Sequence, residues 1–110
     1  NFGPKAEQNH TVKNLIEDLS LFWNFEKAST PFRIIENIPF HEAELLKLNC
    51  DKALTYLKWQ PNLGYKETIK FTSEWYNDFY NSNKDILDKT ISQIMEFEEI
   101  AKERGLAWTE

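Results

Sequence analysis

From Val12 to about Asn24, the apolar positions Val12, Leu15, Ile16, Leu19 and Phe22 or Trp23 recur at three- and four-residue steps. That spacing predicts one stripe of an amphipathic helix, with Thr11 placed to cap it. Asn1 to Pro4 reads as the end of a strand running into a turn, and Lys5 to His10 as a polar loop without a period. Ser29, Thr30 and Pro31 break the first helical pattern. Phe32 to Ile35 is short and β-branched, a strand candidate, and Leu45, Leu46 and Leu48 form a second apolar run read as a short buried strand. The two are candidates to pair, although the connection from Glu36 to Glu44 is too long for a tight hairpin turn. Asn49 offers an N-cap oxygen before a short helix carrying Ala53, Leu54 and Leu57, closed by Trp59 and stopped by Pro61.

A second long helix is predicted from Tyr65 to about Phe79, with Ile69, Thr72, Trp75, Tyr76 and Phe79 on one side and Asn81, Ser82 and Asn83 ending it. A third runs from Lys84 or Asp85 to about Arg104, with Leu87, Ile91, Ile94, Met95 and Glu98 tracing its face and Gly105 as the C′ glycine. Phe97 and Ile100 lie off that stripe, which predicts a second contact surface and self-association through it. The expected class is α+β: a mostly helical subdomain of roughly three to four helices with a small two-stranded element.

A chain of 110 residues suits one domain with a modest core, too small for a catalytic domain plus a substrate domain. The net charge of −5, without a basic patch, argues against nucleic acid or anionic membranes as partners. The single cysteine, Cys50, reads as a buried core residue, permits no internal disulfide and fits a reducing, cytoplasmic compartment. No apolar run approaches membrane-spanning length, and no signal-peptide pattern appears. The chain begins with Asn1 rather than Met and is expected to be a piece of something longer.

Few residues offer chemistry of their own. His10 and His41 are the two histidines, and neither has a second ligand at metal spacing, so no metal site is expected. The three glycines are isolated and form no phosphate-cradling loop. Tyr80 and Lys84 have a Tyr-x-x-x-Lys spacing, but the residues between them read as a helix break, which makes the spacing a coincidence. Glu42 and Glu44 would share a face in a strand but not in a helix, so no carboxylate pair follows. The tryptophans read as core, with ligand stacking as the alternative. What remains is the corner Pro39-Phe40-His41-Glu42. It is entered through a proline and held by the strand after it, so it can present the Glu42 carboxylate to a ligand; the alternative for Glu42 is a solvated turn residue.

Nearly the whole chain resembles the C-terminal, substrate-binding segment of an extended short-chain dehydrogenase/reductase acting on a nucleotide sugar, closest to the CDP-glucose 4,6-dehydratase branch. NFGP followed by Thr11-Val12, the run HEAELLKLNCDKALTYLKWQP, Thr72 with Trp75 and Tyr76, and Thr90, Gln93, Ile94, Phe97 and Glu98 carry the resemblance. It implies that Glu42 accepts hydrogen bonds from ribose hydroxyls. Where relatives place a diphosphate-binding arginine this chain has Pro39, so the resemblance leaves His41, Arg33 or a preceding part of the protein to supply the cation. His10 stands where that branch carries an arginine. The resemblance further implies a bacterial, NAD-dependent lyase of polysaccharide biosynthesis whose cofactor domain, with its glycine-rich loop and Tyr-x-x-x-Lys, lies upstream. The segment alone is then expected to bind no NAD and to be inactive. The alternatives are the C-terminal part of another nucleotide-sugar epimerase or dehydratase, and a stand-alone helical interaction module.

Overall fold

The computed structural model describes residues 1–4, 9–23, 32–35, 48–82 and 85–110. Among the described residues four helices follow in order: α1 (Val12–Ser20), α2 (Asp51–Leu57), α3 (Tyr65–Asn81) and α4 (Ile86–Glu103), with a 3₁₀ turn at Ala107–Thr109. Their ends follow local chemistry. Thr11 caps α1 through a reciprocal pair with Asn14: the Asn14 N–H donates to Thr11 Oγ1 at 3.1 Å, and the Thr11 N–H donates to Asn14 Oδ1 at 3.3 Å. Asp85 Oδ1 accepts from the Leu87 N–H at 2.9 Å to open α4. Gly105, at φ 63°, closes α4 in the left-handed region, and the Leu106 N–H reaches back to the Ala101 carbonyl at 3.1 Å. Lys58 at φ 53° ends α2 the same way despite its side chain, with the Trp59 N–H on the Ala53 carbonyl at 3.2 Å.

The expected α+β class is corrected: among the described residues the chain is helical and contains no strand. Phe32–Ile35 takes no regular structure, and Ile34 and Ile35 are 68% and 62% exposed. A strand exists by virtue of a neighbour that takes its backbone N–H and C=O groups, and this segment has no such neighbour among the described residues. Of the second expected strand, Leu48 is exposed and irregular, and residues 45–47 lie outside the described residues. Asn1–Pro4 likewise forms no strand, although it lies against Leu48 and Cys50: a Cβ on Gly3 would stand 3.3 Å from Leu48 Cδ1. Smaller shifts are local. Asn49 is not the N-cap of α2. It stands one residue earlier, where its Oδ1 accepts from the Asp51 N–H at 2.9 Å, and Cys50 is the cap.

α3 is the hub, packing against α1 on one side and α4 on the other. Ser73 is 1% exposed and donates through Oγ to the Leu19 carbonyl at 2.6 Å, so a small residue lets the α1 backbone come close. Toward α4, Trp75 Nε1 donates to Thr90 Oγ1 at 2.8 Å and Gln93 Nε2 to the Phe71 carbonyl at 2.8 Å. Thus α4 turns Thr90, Gln93 and the buried Ala101 toward its neighbour. The stripe of Leu87, Ile91, Ile94 and Met95, the strongest in its sequence, is left exposed. Phe97 and Ile100, expected on a second outer surface, are half-buried instead.

Among the described residues the buried apolar side chains are Ala53, Ile69 and Ala101, and the largest fully buried side chain is Ser73. The principal extents are 50 × 39 × 18 Å, and the shortest is less than two helix diameters of about 10–12 Å. The radius of gyration, 17.0 Å, exceeds the ~13 Å of a compact chain of this length. The helices therefore form little more than one layer.

Candidate ligand groove

A groove of about 810 Å³ opens where the N-terminal residues, the α2–α3 connection and the start of α3 converge. Six of its sixteen described lining residues carry aromatic rings. Phe2 meets Trp59 edge to face at 5.0 Å, His10 stacks on Tyr65 with ring centres 3.5 Å apart and planes 8° apart, and Phe97 stacks on Trp108 at 6.0 Å. Local sequence explains the arrangement. The left-handed Lys58 ends α2 before Trp59, Gly64 opens α3, and the rings on either side of that connection line the same groove.

Two polar clamps hold the groove. Asn62, 8% exposed, donates through Nδ2 to the Phe97 carbonyl at 2.9 Å, while its Oδ1 is buried without a partner. Arg104 reaches across from the end of α4, donating to the Asn62 carbonyl and pairing with Glu67 Oε1 at 2.6 Å. Glu67 Oε2 in turn accepts from the Gly64 N–H at 2.6 Å. The Gly64 N–H and then the Arg104 guanidinium hold the Glu67 carboxyl below its ordinary value. On the other side the Tyr65 hydroxyl donates to Asp18 Oδ2 at 2.8 Å, tying α3 to α1. Burial, followed by the Asp18 carboxylate, pushes that phenol up to about 12.

The groove has no Lys, Arg, Asp or Glu among its described lining residues, and His10 is its one basic side chain. It suits an uncharged ring or sugar and gives a diphosphate no fixed cation. Nor do the described residues fit a dinucleotide. The one glycine that opens a long helix, Gly64, has its N–H occupied by the Glu67 carboxylate, which would repel a pyrophosphate there. Among the described residues no cluster of three or more His, Cys, Asp or Glu side chains is placed to hold a metal ion. No helix among them is long and apolar enough to cross a membrane.

The residues singled out from sequence fall differently. Glu42 and His41 lie outside the described residues. Arg33 is described: it is exposed, on the irregular segment Phe32–Ile35, and pairs with no carboxylate among the described residues. Tyr80 ends up in the last turn of α3, and Ser82 leaves helical geometry (φ −113°, ψ 144°), while Lys84 lies outside the described residues. The groove itself was not anticipated. Trp59 and Trp108, read as core, line it; α2 ends at Leu57, before Trp59, and not at Pro61 as expected.

No protein-family model matches the chain, and neither does any solved structure. Among curated proteins a match appears. The chain is similar to the CDP-glucose 4,6-dehydratase of Salmonella typhimurium (strain LT2). Identity is 38% over 76 residues, which make up 69% of this chain and 20% of the dehydratase. The chain thus spans about a fifth of the length of the dehydratase it matches.

Proposed function

We propose that this chain is the nucleotide-sugar-binding part of an enzyme like CDP-glucose 4,6-dehydratase. The observation that carries the reading is the 38% identity to that dehydratase over 76 residues. The groove supports it as well, since described walls of apolar and aromatic side chains without Lys, Arg, Asp or Glu suit the neutral portion of a nucleotide sugar. In this reading Glu42 accepts hydrogen bonds from the ribose hydroxyls, and Arg33 or His41 meets the diphosphate, for which the groove supplies no charge. NAD belongs to a cofactor domain elsewhere in the enzyme and supplies hydride chemistry when bound there. This segment's own part is to bind and orient the substrate and to wall it from solvent.

The test is steady-state kinetics on the full-length enzyme that carries this segment, with CDP-glucose varied at saturating NAD. Ribose is remote from the reacting carbons of the sugar, so its contacts are alike in ground and transition states. Glu42→Ala should therefore raise KM and leave kcat nearly unchanged. The rise corresponds to roughly 1.5–3 kcal/mol for hydrogen bonds to a charged acceptor. An unchanged KM would return Glu42 to the role of a solvated turn residue. A large fall in kcat alone would mean that the corner positions the sugar.

A further inference from the structure

The 3₁₀ turn that carries Trp108 is fastened to the end of α4. The Leu106 N–H donates to the Ala101 carbonyl at 3.1 Å, and the Thr109 N–H and hydroxyl both donate to the Leu106 carbonyl, at 2.9 Å and 2.7 Å. Trp108 stacks on Phe97 with the planes 17° apart and lines the groove, yet it is 57% exposed. A tryptophan on a fastened backbone, with more than half its surface open, does not serve as core. It offers a broad apolar ring to a molecule entering the groove.

Asn62 is joined to the same stack. Its Nδ2 donates to the Phe97 carbonyl at 2.9 Å, which settles the orientation of the amide, because only the nitrogen can donate to a carbonyl. Its Oδ1 is a buried acceptor without a partner among the described residues, on a side chain that lines the groove. Native proteins rarely leave such an acceptor unpaired, since the cost is that of desolvating it for nothing. Oδ1 is closed to solvent, and a side-chain adjustment of the kind common on binding gives a donor access to it.

The other polar groups of the groove narrow the class of ligand. The Tyr65 hydroxyl donates to Asp18, and the Thr68 hydroxyl donates to the Gly64 carbonyl. Gln60 and His10 are exposed. A hexose carries a hydroxyl on most of its carbons and needs many partners. A heteroaromatic ring offers apolar faces and needs partners only at its edge. A stacking surface with an edge acceptor, and no Lys, Arg, Asp or Glu among the described lining, fits an uncharged nucleobase better than a sugar.

We propose that Trp108 and Asn62 form a nucleobase subsite: the base stacks on the Trp108 ring, and an amino group on its edge donates to Asn62 Oδ1. The inference rests on the nucleotide-sugar reading and goes beyond it, in saying which end of the ligand lies in the groove and which residues hold it. An acceptor there favours cytosine, whose edge carries an amino donor, over a pyrimidine with a carbonyl in its place.

The test uses the full-length enzyme that carries this segment. Trp108→Ala should raise KM for CDP-glucose by roughly tenfold, within the range of base–aromatic stacking, and leave kcat nearly unchanged, because the base is remote from the reacting carbons. Trp108→Phe keeps a ring to stack on and should recover most of that loss. For Asn62 the comparison is between two inhibitors. CDP should bind roughly tenfold more tightly than a CDP analogue with both amino hydrogens replaced by methyl groups. In Asn62→Leu that preference should vanish; the ratio is taken within one variant, so a general loss of stability does not move it. Equal inhibition by the two diphosphates in the parent enzyme, or a KM indifferent to Trp108→Ala, would overturn the subsite while turnover of CDP-glucose still upholds the nucleotide-sugar reading. An enzyme inert toward CDP-glucose would instead overturn that reading, and the subsite with it.

Discussion

Two carboxylate-centred contacts at the groove give the chain a pH signature at single residues. The Tyr65 phenol is raised from 10.0 to about 12, so the folded state favours its protonated form. Its contribution is fully present below pH 10 and is lost as pH rises through about 12. Tyr65→Phe should cost about 1 kcal/mol at neutral pH by urea unfolding, the typical net worth of a hydrogen bond. The difference from the parent chain should shrink between pH 10 and 12. A difference that stays constant over that range would contradict the Tyr65–Asp18 contact. Glu67 works in the opposite sense. Its carboxyl is lowered below 4.5, so its stabilisation is present above that value and is lost as pH falls through the lower folded value. Glu67→Gln should therefore lose less stability on acidification below 4.5 than the parent chain does, as read from urea midpoints across a pH series.

The helices themselves were legible because each carries its own evidence. Thr11 before a three-four stripe and Gly105 after another are signals contained within single segments, and α1 and α4 formed where those signals lie. The strand expected at Phe32–Ile35 did not form, because β-branching is a weak guide where no partner backbone lies among the described residues. Which face of α4 meets α3 was also not legible. The apolar stripe Leu87–Ile91–Ile94 looked like the contact, yet α3 takes Thr90 and Gln93 through hydrogen bonds to Trp75 and the Phe71 carbonyl. Periodicity ranks stripes by hydrophobicity and does not know which neighbour each will meet. Nor does a pattern-based reading register Ser73, whose small size sets the approach of α1. Ser73→Leu should overfill that contact at a cost of about 1–3 kcal/mol. Amide hydrogen exchange should then show α1 losing protection while α4 keeps its own, and equal losses in both helices would contradict the view of α3 as a hub with separable sides.

At the scale of the whole molecule, the described residues form a thin layer with a small buried core and a groove without Lys, Arg, Asp or Glu among its described lining. The corner that carries Glu42 and His41 lies outside the described residues, so the role proposed for Glu42 is left to the kinetic test. Calorimetry of the chain with NAD should detect no binding, because Gly64 is closed by Glu67 and no other glycine opens a long helix. Micromolar affinity would contradict that reading of α3. The most direct test of the nucleotide-sugar role is a transplant. The 76 matched residues of the Salmonella CDP-glucose 4,6-dehydratase are replaced by those of this chain, and turnover of CDP-glucose is measured beside the circular dichroism spectrum. A folded chimera that still dehydrates CDP-glucose, with a KM raised by Glu42→Ala, is the predicted result; a folded chimera that no longer binds CDP-glucose would contradict the account.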